Sequence, residues 1–113
     1  MDVSEARVLQ WPNCLPEAIE RVMREADPLR IILFGSWARG TARPDSDLDL
    51  LVVLPNVENK RQATVRLLRA LNGLPISKDV VVTTPEEIAR RGNVVGDVLR
   101  PALREGVIIY ERE

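Results

Sequence analysis

Apolar residues fall along this chain in two rhythms. Four short runs are nearly continuous: Leu29 to Phe34, Asp47 to Leu54 once its acids are passed, Ser77 to Thr84, and Val107 to Tyr110. Runs of this length, bounded by Gly, Pro or Asn, read as buried strands. Between them apolar positions recur at helical spacing. Pro16 followed by Glu17, Ala18, Ile19, Val22, Met23 and Ala26 predicts a helix with Pro in its first turn, stopped at Asp27-Pro28. Val57 to Leu71 predicts an amphipathic helix with Val57, Thr64, Leu67, Leu68 and Leu71 inward, Lys60, Arg61, Arg66 and Arg69 outward, and Asn72-Gly73 as its C-cap. Thr84-Pro85-Glu86-Glu87 opens a third helix, with Thr84 as N-cap and Glu87 at the capping-box position, closed by Arg91-Gly92-Asn93. Val95, Val98, Leu99, Ala102 and Leu103 keep helical spacing up to Gly106, but Pro101 lies inside that stretch. Either the helix kinks there or a new one opens near Arg100. Met1 to Pro12 shows no period and predicts a loosely ordered arm over residues 1–14, pinned by Trp11-Pro12. The sum is an α/β (α+β) arrangement: a mixed sheet of about four strands flanked by helices.

The totals narrow the function. With 113 residues the chain makes one domain, 1–113, with one core. Lys plus Arg number 16 and Asp plus Glu 17, so no extended nucleic-acid surface is expected. The single Cys14 excludes an internal disulfide and fits a reducing cytosol. Histidine is absent, which removes Ser-His-Asp and Cys-His catalysis and histidine-bound zinc together. Acid–base work falls to carboxylates, Lys, Tyr or water. No apolar run approaches membrane-spanning length, so the expectation is a cytoplasmic protein without a membrane partner.

Chemistry concentrates in one stretch, Phe34-Gly35-Ser36-Trp37-Ala38-Arg39-Gly40 through Ser46-Asp47-Leu48-Asp49-Leu50. Asp47 and Asp49 alternate along a strand, so both side chains share one face with Leu51 and Val53. Carboxylates this close repel unless a cation lies between them, and hard oxygen donors favour Mg2+ or Mn2+. Gly35-Ser36, ending one strand and opening a short helical turn closed by Gly40, offers N–H groups and a hydroxyl to phosphate oxygens. The two together read as a nucleoside-triphosphate site. It is not a P-loop, since no Gly-Lys pair precedes a helix. Ser46 is expected to order the loop before Asp47, and Asp79 is the one acid in the third apolar run.

Gly35-Ser36, ten intervening residues, then Asp47-x-Asp49 resembles the signature of the DNA polymerase beta-type nucleotidyltransferase superfamily, and Gly-Ser-Trp-Ala-Arg-Gly is most similar to its minimal nucleotidyltransferases. The resemblance runs from about Leu29 to the C-terminus. It implies a palm-like domain in which Asp79, by order and context, supplies a third carboxylate from a neighbouring strand. Asp47, Asp49 and Asp79 are then the catalytic and metal-binding residues for two Mg2+ ions (Mn2+ being possible), with ATP as substrate. Gly35 and Ser36 hold the triphosphate, and Arg39 either joins them or is a surface arginine. Many relatives carry Arg where this chain has Trp37, which is left to stack on a base or a partner or to stand exposed.

Similar chains often pair with an all-helical HEPN protein as toxin and antitoxin. The resemblance therefore implies a type VII-like antitoxin that transfers AMP from ATP to a tyrosine of a HEPN toxin. Two alternatives stand beside it. One is transfer to a small molecule or an RNA end, and the other is a non-catalytic antitoxin that neutralises by binding. Homo- or hetero-oligomers fit all three, and the base preference is not written in the sequence.

Overall fold

The computed structural model describes residues 11–92 and 99–113. Residues 1–10 of the expected arm and the expected inward positions Val95 and Val98 lie outside that range.

Helix α1 (Leu15–Ala26) begins with Pro at its first turn and buries Leu15, Ala18 and Val22, one stripe at helical spacing. It ends where Asp27 takes a left-handed conformation at φ 45° and donates its N–H to Met23 O. Pro28 then prevents continuation. Trp11 packs partly buried against the core cluster that holds Leu15, Ala18 and Val22.

Strands β1 (Arg30–Phe34), β2 (Leu48–Val53), β3 (Lys78–Thr83) and β4 (Val107–Glu111) form one sheet in the order β3-β2-β1-β4. β1 pairs antiparallel with β2 and with β4, while β2 and β3 run parallel. A parallel pair needs a crossover, and α3 (Lys60–Ala70) supplies it. This helix starts at Lys60 rather than at Val57: the Asn59 side chain accepts from Gln62 N and sets the N-cap, leaving Val57 to reach the core from the preceding loop. Arg21 of α1 donates to Ala70 O (3.2 Å) and Asn72 O (2.8 Å), fastening α1 to the end of α3 where helix carbonyls lack partners.

The sheet has two unequal faces. Ile31, Leu33, Leu48, Leu50, Val52, Val80 and Val82 point toward α1 and α3 and form the main core with Leu15, Val22, Leu67 and Leu71. On the other face, Ile32 and Leu51 pack beneath Leu99 and Ala102 of α5 (Leu99–Glu105), with Phe34, Val81 and Leu103 alongside. Helix α4 (Pro85–Arg91), capped by Thr84 and closed at Gly92, adjoins α5. Pro101 lies in the first turn of α5 as that helix is described, and the approach to it over 93–98 lies outside the described residues. Gly106 ends α5 because a Cβ there would collide with Ala102 O and Ile32 Cγ2. Among the described residues no helix is long and apolar enough to cross a membrane.

Candidate active site

The site is built at the end of the sheet where β1 stops and β2 and β3 begin. Phe34, the last residue of β1, lies opposite Asp49 in β2, and Asp49 lies level with Asp79 in β3. Side chains alternate along a strand, so Asp49 and Asp79 fall on the face of Leu51 and Val81, the one α5 covers. That face is apolar under α5 and acidic at its end. Asp49 is half-buried, whereas Asp47 and Asp79 are exposed. Asp47, with which the expected strand began, sits just ahead of β2, one residue outside the observed strand.

The turn after β1 is shaped around Asp49. Gly35 has φ 76° and ψ −156°, a conformation open to glycine and strained for any other residue. A Cβ at position 35 would collide with Asp49 Oδ2 and lie 3.1 Å from Cγ, so the chain passes the carboxylate with no room for a side chain. Gly35 then caps the four-residue helix α2 (Ser36–Arg39), and Gly35 O accepts from Ala38 N and Arg39 N, both at 3.1 Å. The N–H groups ahead of Ala38 precede the first bond of this short helix, a position where backbone donors lack intrahelical acceptors and suit an anion.

Between α2 and β2 the loop is folded on itself. Ser46 Oγ accepts from Arg43 N at 2.8 Å, and Ser46 N donates to Arg43 O at 2.9 Å. Trp37 Nε1 donates to Ser46 O at 3.1 Å, and its ring packs against the main core. Trp37 thus holds the loop that delivers Asp47, a role the sequence did not show because no periodic signal links an indole to a carbonyl nine residues on. Leu48 N donates to Ser77 O at 2.8 Å, tying the same loop to the start of β3. Ser46 orders the loop, as expected.

Electrostatics pick out Asp49. Burial pushes its carboxyl above the ordinary 3.8, the charges of Asp79 and Asp47 push further the same way, and Arg39 pulls it back. Asp49 therefore feels both of the other sequence-predicted carboxylates, though among the described residues no three His, Cys, Asp or Glu side chains are gathered as a ready metal site. The donor set fits a hard divalent cation: oxygen ligands only, carrying mutual repulsion that a cation would relieve. Arg39, the remaining predicted residue, has Nη1 3.6 Å from Glu105 Oε2 at the end of α5. Glu105 went unseen in the sequence, since only the fold brings it beside α2. Recesses of about 320 Å3 between α1 and α3 and about 640 Å3 where Leu29, Val53 and Ile88 meet include none of Asp47, Asp49 and Asp79. The candidate site is an open end of the sheet.

Residues 15–107 match the family model of the nucleotidyltransferase domain. A Methanocaldococcus jannaschii protein named "putative protein adenylyltransferase" is 31% identical over 110 residues, covering 89% of this chain and 72% of that one. A solved structure described as "putative minimal nucleotidyltransferase" is 31% identical, covers 95% of both chains and superposes with a TM-score of 0.56. At the level of fold alone, a "putative nucleotidyltransferase" from Sulfolobus solfataricus gives a TM-score of 0.64 at 22% identity, over 96% of this chain and 86% of that one. A chain described as a toxin–antitoxin with AMP-PNP gives 0.54 at 21% identity, over 88% and 75%.

Proposed function

The chain belongs to the nucleotidyltransferase domain family, and from that premise we propose that it transfers AMP from ATP to a tyrosine hydroxyl of a HEPN-type toxin, as an antitoxin. The observation that supports the transferase reading is the close approach of Gly35 to Asp49, which brings the Gly35-Ser36 turn beside that carboxylate. The protein acceptor is supported by the relative named an adenylyltransferase of proteins. The toxin partner is suggested by the toxin–antitoxin neighbour of like fold.

In this reaction the acceptor oxygen attacks the α-phosphorus. The bond to the bridging oxygen of the β-phosphate breaks, and pyrophosphate leaves with that electron pair. Gly35 and Ser36 receive the β- and γ-phosphates through backbone N–H groups and Oγ, which orients the leaving group away from the acceptor. Arg39 adds a cation able to contact phosphate oxygens in two-point fashion. Asp79, exposed on the edge strand, would take the acceptor's proton. Asp47, Asp49 and Asp79 would hold Mg2+, which when bound supplies charge neutralisation at the entering and leaving oxygens.

Intact mass spectrometry of a HEPN partner, co-expressed with this chain or with its Asp47→Asn, Asp49→Asn variant, tests the proposal. AMP-sized increments that require the acids support it. A stable complex without increments in either case turns the reading to neutralisation by binding. Neither increments nor a complex points to small-molecule or RNA acceptors.

A further inference from the structure

The last residues of α2 and α5 stand opposite each other. Arg39 and Glu105 approach to 3.6 Å with side chains 50% and 52% exposed. Both ends are held by backbone. Arg39 N donates to Gly35 O, within one turn of the glycine that touches Asp49. Glu105 precedes Gly106, whose N–H donates to Ala102 O at 3.0 Å and whose close packing on Ile32 seats the end of α5 on β1. Arg39 therefore has two carboxylates near it: Glu105 at the end of α5, and Asp49, which lies against the glycine that opens Arg39's own turn.

A guanidinium is a strong two-point partner for a carboxylate. An arginine released beside Asp49 would settle on the oxygens a divalent cation needs. We propose that Glu105 is a positioning residue that holds Arg39 on the α5 side of the turn and keeps the Asp47–Asp49–Asp79 cluster open to a divalent cation. The inference rests on reading those three residues as cation ligands. An exposed ion pair at this distance is weak. It biases Arg39 without locking it, so an arriving polyphosphate, carrying more charge than one carboxylate, draws the guanidinium across.

The test is Mn2+ binding without nucleotide, followed by the electron paramagnetic resonance of the free ion. Four chains are compared: wild type, Glu105→Gln, Arg39→Gln and the double variant. Glu105→Gln is expected to weaken Mn2+ binding roughly two- to five-fold, the scale of one exposed ion pair. The same change in the chain already carrying Arg39→Gln is expected to leave binding unmoved. Equal weakening in both backgrounds would mean that Glu105 acts through its own charge, and overturns the proposal. So does wild-type binding that is indifferent to Glu105→Gln. If wild type shows no Mn2+ binding that Asp49→Asn removes, the cation-site reading falls as well, a result distinct from the other two. Both side chains are on the surface, so the thermal midpoints of the four chains should agree, separating this effect from damage to the fold.

Discussion

Asp49 shows at the scale of one residue how the proposed function and folding pull apart. Its carboxyl is raised by burial first, then by Asp79 and Asp47, so the fold prefers it protonated. For an acid with a raised folded value, the stabilising contribution is full below its ordinary 3.8 and is lost as pH rises through the folded value. At neutral pH the ionised group is thus a local cost. Asp49→Asn should abolish transfer yet raise the stability of the cation-free protein at pH 7, by less than about 1 kcal/mol because water screens a half-exposed cluster. The gain should fade in denaturant melts taken toward pH 4. A gain that persists unchanged in acid would contradict the assignment. Gly35 is bound to the same carboxylate. Gly35→Ala combines a positive φ with a collision at Asp49 Oδ2, and should cost about 1–3 kcal/mol in a urea melt while removing nucleotide binding. Both residues stood out in the sequence, because a Gly-Ser turn and an acid pair at fixed spacing are local signals. Glu105 and the bond from Trp37 to Ser46 did not, because each joins groups that only the folded chain brings together.

Among the elements, those with strong local chemistry appeared where the sequence put them. The cap at Thr84 is an example: its hydroxyl accepts from Glu87 N at 3.2 Å, the N-cap half of a capping box. What the sequence hid is that Glu87 has further partners. Its Oε1 accepts from Thr83 Oγ1 at 2.8 Å, and Lys60 Nζ, at the start of α3, donates to both carboxylate oxygens at 2.8 and 2.9 Å. One side chain, only 14% exposed, therefore joins the starts of α3 and α4 to the end of β3. The bond from Lys60 chiefly holds its carboxyl below the ordinary 4.5, with the Thr83 hydroxyl helping against burial. An acid with a lowered folded value stabilises above its unfolded value, and that contribution is lost as pH falls through the folded one. Glu87→Ala leaves the fully buried Thr83 hydroxyl without its acceptor and should cost about 2 kcal/mol at pH 7. The difference from wild type should shrink below pH 4.5 as wild type loses the same contribution. Chemical melts at several pH values check this. The start of α3 misled the sequence reading for a related reason: Val57 extended the apolar period, but the Asn59 cap decided where the helix began.

Across the whole molecule, the order β3-β2-β1-β4 was the part least legible beforehand, because strand pairing is set by contacts far apart in the chain. The apolar runs announced four strands, and the helix between β2 and β3 is long enough for the crossover that a parallel pair needs. Nothing local said that β4 would add beside β1, with a register shift between Ile31 and Ile32. That order matters for the site, since it places Asp49 on a central strand between Asp79 on an edge strand and the turn that follows β1. A cation held by Asp47, Asp49 and Asp79 would bridge the loop, β2 and β3, and so stabilise the fold as a unit. Binding to the native state alone adds about 2.7 kcal/mol at roughly one hundred times the dissociation constant. Thermal unfolding of the wild type should therefore shift upward with added Mn2+, return to its starting midpoint on chelation, and stay flat in Asp49→Asn. A shift of equal size in that variant would mean that the ion binds elsewhere, and would remove the carboxylate corner as the place where cation and fold are coupled.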